Sequence, residues 1–234
     1  MRFRSFIIAY ALVLAILLFA DRRPHPTPQD RYSHVIDLTD APNGVSRGQQ
    51  QTAVEQKTGG DQQTGVLPAS RTRIVAPGVL IPGTWTAGQI PPERLVAPLV
   101  VIDLKTPPAA SSQITLDDIA AWETLHGAIP QGAVVAIRRP DANHPIAPAA
   151  LPITAQAAQF LMDARYTTGF VIETPADFSS DRVLARQVAL HGSYVVESTA
   201  SLNAVPATGS LIIVAPAKNK SAGRTSVRVL AMVR

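Results

Sequence analysis

Six side chains carry the groups from which a hydrolytic metal site is built: His34, Asp37, Asp40, His144, Glu173 and Glu197. Neutral imidazoles and carboxylates that converge on a divalent ion lower the pKa of its bound water toward about 7 and turn it into a nucleophile. At least three of the six must meet within coordination distance of one point to do this. Local spacing does not bring them together, because no two histidines fall at i and i+4 on a helix. His25 lies in a proline-rich segment, and His126 follows a helix, where a cation complements the dipole. His34, His144 and His191 read first as surface or satisfied-core side chains. Asp37 and Glu173 each end a strand, where a carboxylate also serves to cap a turn.

Other chemistries are poorly served. The chain has no cysteine, which removes disulfides, thiolate metal sites and a sulfur nucleophile. No glycine-rich phosphate loop follows a strand, and no serine stands in a nucleophile elbow. The stretch Ala69-Ser-Arg-Thr-Arg-Ile-Val-Ala-Pro-Gly-Val-Leu80 lies between a polar loop and a buried-type strand, where scaffolds usually carry their chemistry. Yet from Ala69 onward no His, Cys, Asp or Glu occurs before Glu93.

The elements that must position these residues are short. Twenty prolines and a charged fraction of 16% cut the 234-residue chain into brief segments around one core, with 46% hydrophobic residues to fill it. Strands are expected at His34–Thr39, Leu99–Leu104, Ala133–Ile137, Gly169–Glu173, Tyr194–Val196, Leu211–Val214 and Ser226–Ala231. Helices are expected after Thr115, carrying Leu116, Ile119, Ala120 and Leu125 on one face up to Gly127, after Thr154, carrying Ala157, Ala158, Leu161 and Ala164, and after Ser180 or Asp181. Alternation of the two through the second half points to an α/β unit with helices over a mixed sheet.

Residues 1–20 combine a basic start, Met1-Arg-Phe-Arg4, with an uncharged apolar run from Ser5 to Ala20, and read as a signal peptide or N-terminal membrane anchor. Residues 21–32 read as a linker, 33–234 as the folded domain, and 40–70, rich in Gly, Gln, Thr and Ser, as a long flexible loop. The domain is therefore expected outside the cytoplasm, periplasmic or extracellular, free or tethered through residues 5–20. A net charge of +4 and a pI near 9.8 raise the question of nucleic acid, but the basic residues are scattered and aromatics make up only 5%. Neither a phosphate-tracking stripe nor a stacking platform results.

A set of short segments, in order, resembles the cyclase family that includes bacterial kynurenine formamidase. They are Val35-Ile-Asp-Leu-Thr39, Ala76-Pro77, Ile90-Pro-x-Glu-Arg-Leu-Val96 leading into Val101-Ile-Asp-Leu104, Gly132-Ala-Val-Val135, the unit from Thr154 to Glu173, Val195-Val-Glu197 with Asn203 and Pro206, and Ile213-Val-Ala-Pro-x-Lys218 with Arg228-Val-Leu-Ala231. The resemblance implies a swivelling β/β/α fold, homo-oligomeric assembly and, in working members, amide hydrolysis by water activated on zinc or manganese. Family ligands come mainly from a segment His-x-Gly-Thr-His-x-Asp-x-Pro-x-His, completed by a distant His and Glu. Aligned on Ala76-Pro77, the first His falls on Ala69, the second on Arg73 and the Asp on Val75, while the last His, which serves proton transfer, falls on Val79. Thr72 and Pro77 are retained. The distant Glu falls on Glu197, and the His twelve residues before it on Ala185.

Alanine and valine have no lone pair to donate, and Arg73 carries a permanent positive charge where a cation belongs. Two functions follow. In the first, the chain has no cofactor and acts as a binding or structural subunit for an unidentified small molecule. In the second, it is an arylformamidase-like hydrolase whose site has moved to the six groups named at the outset. A half-buried carboxylate at Glu197 needs a neutralising partner. Arg73, at a lost ligand position, is expected to supply it, making Arg73 and Glu197 the candidate ligand pocket.

Overall fold

The computed structural model describes residues 32–40, 71–104, 113–139, 151–218 and 222–234. The signal or anchor segment, most of the 21–32 linker, the 41–70 stretch, Ala69 and His144 lie outside the described residues. Among the described residues eight strands form a single sheet: β1 (His34–Asp37), β2 (Arg73–Val75), β3 (Val96–Asp103), β4 (Val134–Arg138), β5 (Gly169–Ile172), β6 (Tyr194–Glu197), β7 (Ser210–Pro216) and β8 (Arg224–Val233). Their order is β1-β8-β2-β6-β5-β4-β3-β7, and β7 also pairs with β8. Seven strands thus close into a mixed barrel, with β1 added outside along β8. Pairing is parallel from β3 through β4 and β5 to β6, and antiparallel elsewhere.

Closure with helices packed outside explains why β4, β5 and β6 read as continuous apolar runs, since both faces of each are covered, whereas β7 and β8 alternate between buried and more exposed positions. Along β4, Val134 and Ala136 join one buried cluster with Ile74, Leu99, Val101, Val171, Tyr194 and Val229 from the other strands. Val135 and Ile137 join a second cluster with helical side chains, including Ile119, Leu161 and Leu184. The first cluster fills the barrel and the second lies between barrel and helices. Tyr194 is wholly buried, and its hydroxyl donates to the Arg94 carbonyl at 2.9 Å. Gly169 pairs with Tyr194 in register, and a Cβ there would stand 2.5 Å from the tyrosine ring. Only glycine leaves room for the ring.

Three helices cover the parallel strands: α1 (Leu116–His126), α2 (Ala155–Arg165) and α3 (Arg182–Leu190). Each starts at the residue expected to cap it, because the side chains of Thr115, Thr154 and Asp181 accept from the backbone N–H three residues on. The expected face of α1 is corrected. Ile119 and Trp122 are its buried residues, Ala120 is exposed, and Leu125 is 78% exposed. Trp122 shifts the face by donating its indole N–H to the Val101 carbonyl at 3.0 Å, tying the helix to β3. Among the described residues no helix is long and apolar enough to cross a membrane.

Candidate functional site

The segment Arg73–Val79 folds as strand β2 followed by a 3₁₀ turn over Pro77–Val79. Pro77 begins that turn, where its fixed φ suits and its missing N–H costs nothing. Thr72 is fully buried. Its hydroxyl accepts from the Asp40 N–H and donates to the Ser198 carbonyl, both at 2.7 Å. It therefore knits the exits of β1 and β6 to the entry of β2, a role that requires this side chain whatever chemistry follows.

Arg73 stands directly opposite Glu197 in the β2–β6 register, and Val75 opposite Val195. Opposed residues of antiparallel strands share a face, so Arg73, Val75 and Glu197 all belong to the helix-facing side of the barrel. Nevertheless Arg73 is not the partner of Glu197. Its side chain is exposed, whereas Glu197 is 3% exposed. Arg224, opposite Val75 on the other neighbour β8, crosses β2 to reach it. Its Nε donates to Glu197 Oε1 at 2.8 Å and its Nη2 donates to Oε2, while Nη2 also reaches the Ala176 carbonyl at 3.1 Å. The Ala176 N–H adds a further bond to Oε2 at 2.8 Å. Both carboxylate oxygens are thus spoken for by donors. The guanidinium expected at Glu197 therefore comes from Arg224 and not from Arg73, because the barrel closure that brings β8 beside β2 is not written in any local pattern.

The remaining positions offer a metal nothing. Val75 is buried at 2% exposure, Ala185 on α3 is buried at 5%, and Val79 is 46% exposed. Gly223 packs against Val79, where a Cβ would lie 2.6 Å from its Cγ2. With Glu197 committed to Arg224, the residues present do not fit zinc or manganese held in the family manner.

Nor do the described members of the six dispersed groups assemble, His144 lying outside the described residues. Among the described residues no three His, Asp or Glu side chains form a group able to hold a metal ion. Asp37 accepts the Thr39 N–H at 3.0 Å and meets Arg228 Nη2 at 3.1 Å, on the edge strand outside the barrel. Glu173, beyond β5, accepts the Arg139 N–H at 2.8 Å. Burial pushes the Glu173 carboxyl above the usual glutamate range, against the pull of that bond and of the Arg139 and Arg138 charges. Asp37 and Glu173 therefore do what strand-end carboxylates ordinarily do.

A cleft of 430 Å³ opens where Val79, Leu80, Phe178, Ser179, Arg182, Ala185 and Arg186 meet. Val79 and Ala185, two positions onto which the resemblance places the family's histidines, are in its wall. It arises because α3 packs on the 3₁₀ turn at Pro77–Val79. Its volume is in the usual range for small-molecule sites. No motif pointed to Arg182 and Arg186. An arginine pair at i and i+4 is visible in the sequence, but it passes for a solvated helix face until the cleft is seen.

Comparison with known proteins accords with this layout. The family model described as "Putative cyclase" matches residues 24–177. A search of the curated proteins finds no match. Among solved structures, isatin hydrolase A from Labrenzia aggregata, bound to benzyl benzoate, is similar at 25% identity and a TM-score of 0.62, over 86% of this chain and 93% of that one. A potential metal-dependent hydrolase with cyclase activity is similar at 26% identity and a TM-score of 0.58, over 86% of this chain and 98% of that one. Isatin hydrolase A from Ralstonia solanacearum shares the fold at 22% identity and a TM-score of 0.59, over 86% and 92% of the two chains.

Proposed function

The chain belongs to the cyclase family, and from that premise we propose that it is a member without metal-dependent amide hydrolysis, working as a binding protein for a small molecule held in the cleft beside the old metal position. One observation carries this reading: the carboxylate of Glu197, onto which the resemblance places a metal ligand, is held by the guanidinium of Arg224, with the Ala176 N–H as a second donor. A divalent ion would have to displace a cation already bonded to both oxygens, with no imidazole at Arg73, Val79 or Ala185 to help it. One carboxylate without further donors does not repay the desolvation of a divalent ion, and taking Glu197 from Arg224 would break a buried pair. The swivelling β/β/α arrangement, export through residues 1–20 and homo-oligomeric assembly belong to the same reading, supported by the segment order and the apolar run from Ser5 to Ala20.

The test is metal content and turnover on one purified sample. The protein is expected to retain no stoichiometric zinc or manganese after dialysis and to leave N-formylkynurenine and isatin intact. One bound equivalent together with hydrolysis of either substrate overturns the reading.

A further inference from the structure

The cleft wall contains an arrangement that helix energetics disfavours. Arg182 is the first residue of α3 and Arg186 stands one turn later, so two positive charges share a face beside the positive end of the helix dipole. Both line the cleft and both side chains are exposed. Among the described residues neither has a hydrogen-bond or ion-pair partner. The nearest carboxylates in sequence are otherwise engaged. Asp181 spends Oδ1 on the Leu184 N–H as helix cap, and Asp177 Oδ1 takes the Ser179 N–H and hydroxyl. The rest of the lining is largely apolar, with Val79, Leu80, Ala185 and the half-buried Phe178, which also packs on the outer core.

We propose that this cleft binds an organic monocarboxylate with an apolar body, its carboxylate held by Arg182 and Arg186 and its body against Phe178, Val79 and Leu80. The planar guanidinium fork matches a carboxylate in bidentate fashion, and two forks one helical turn apart neutralise each other's repulsion through the shared anion. Loss of the family's metal ligands fits such an occupant. Val79 and Ala185 widen and dry the wall that imidazoles would have made polar. The proposal rests on the binding reading above, but names its ligand class and does not need a metal to be absent.

Calorimetric titration of the full chain in a chelator, with phenylacetate, phenylacetamide and acetate as probes, tests it. Phenylacetate is expected to bind at least about tenfold more tightly than its neutral amide and than acetate, the first difference reporting the charge and the second the apolar body. Arg182→Gln and Arg186→Gln should each weaken phenylacetate about tenfold, while Arg228→Gln, on the outer edge, leaves it unchanged. Equal binding of the amide, undiminished binding by the double variant Arg182→Gln/Arg186→Gln, or no phenylacetate binding at millimolar concentration overturns the proposal. Stoichiometric metal in the parallel analysis would instead count against the binding reading and leave the anion result to stand by itself.

Discussion

Arg224 carries two burdens at once. It neutralises a carboxylate that is 3% exposed, and its guanidinium crosses β2 to do so. Removing one partner of a buried pair strands the other charge, so Arg224→Met should cost about 3 kcal/mol in urea denaturation. The double variant Arg224→Met/Glu197→Gln should be markedly less damaged, since no buried charge is then left alone. Equal losses would show that the pair is not coupled. Glu173 behaves in the opposite sense. Its carboxyl titrates above the usual range in the fold because burial outweighs its partners, so its favourable contribution is present at low pH and lost as pH rises through the folded value. Glu173→Gln should therefore match the parent near pH 4 and gain on it by pH 8, read as a difference in denaturation midpoint. How such residues read from sequence alone differs sharply. That Glu197 needs a guanidinium partner was legible from its buried-strand setting; that the partner is Arg224 was not, because its reach depends on which strand lies beside β2.

Among the elements, the helices were the most legible, for a physical reason: capping is local. Thr115, Thr154 and Asp181 meet their N–H partners three residues away, so the signal and the structure share one short window. The face of α1 was not legible, since Trp122 finds its acceptor on β3, 21 residues back. The α1–α2 layer is pinned by Arg165, which meets Glu123 through Nε to Oε1 at 2.7 Å and Nη2 to Oε2 at 2.9 Å, while the Ile129 N–H donates to the same carboxylate at 2.9 Å. Arg165 holds the Glu123 carboxyl below its usual range. The contribution is therefore present above the ordinary glutamate value and lost as pH falls through the lowered one. Glu123→Gln should cost about 1–3 kcal/mol at neutral pH, with the difference from the parent shrinking in acid. Inside the barrel, Gly169→Ala should cost about 1–3 kcal/mol by pressing on the Tyr194 ring, and thermal unfolding would register it. A neutral outcome would mean the ring has somewhere to go.

At the scale of the whole molecule, closure of seven strands is what places three regions far apart in sequence at one site: β2, the end of β6 and the start of β8. Alternating strands and helices announce an α/β unit, but the same alternation suits an open sheet, and nothing local states that β7 returns to β8. Under the proposed function, the Arg224 guanidinium stands where relatives would hold a metal in this barrel. Zinc titration of the purified chain, alongside the variant Arg73→His/Val75→Asp/Arg224→Ala, tests it most directly. The parent should take up no stoichiometric zinc, while the variant, with two donors restored on the face of Glu197 and the resident cation removed, should bind about one equivalent. Uptake of one equivalent by the parent, lost on Glu197→Gln, would contradict the account.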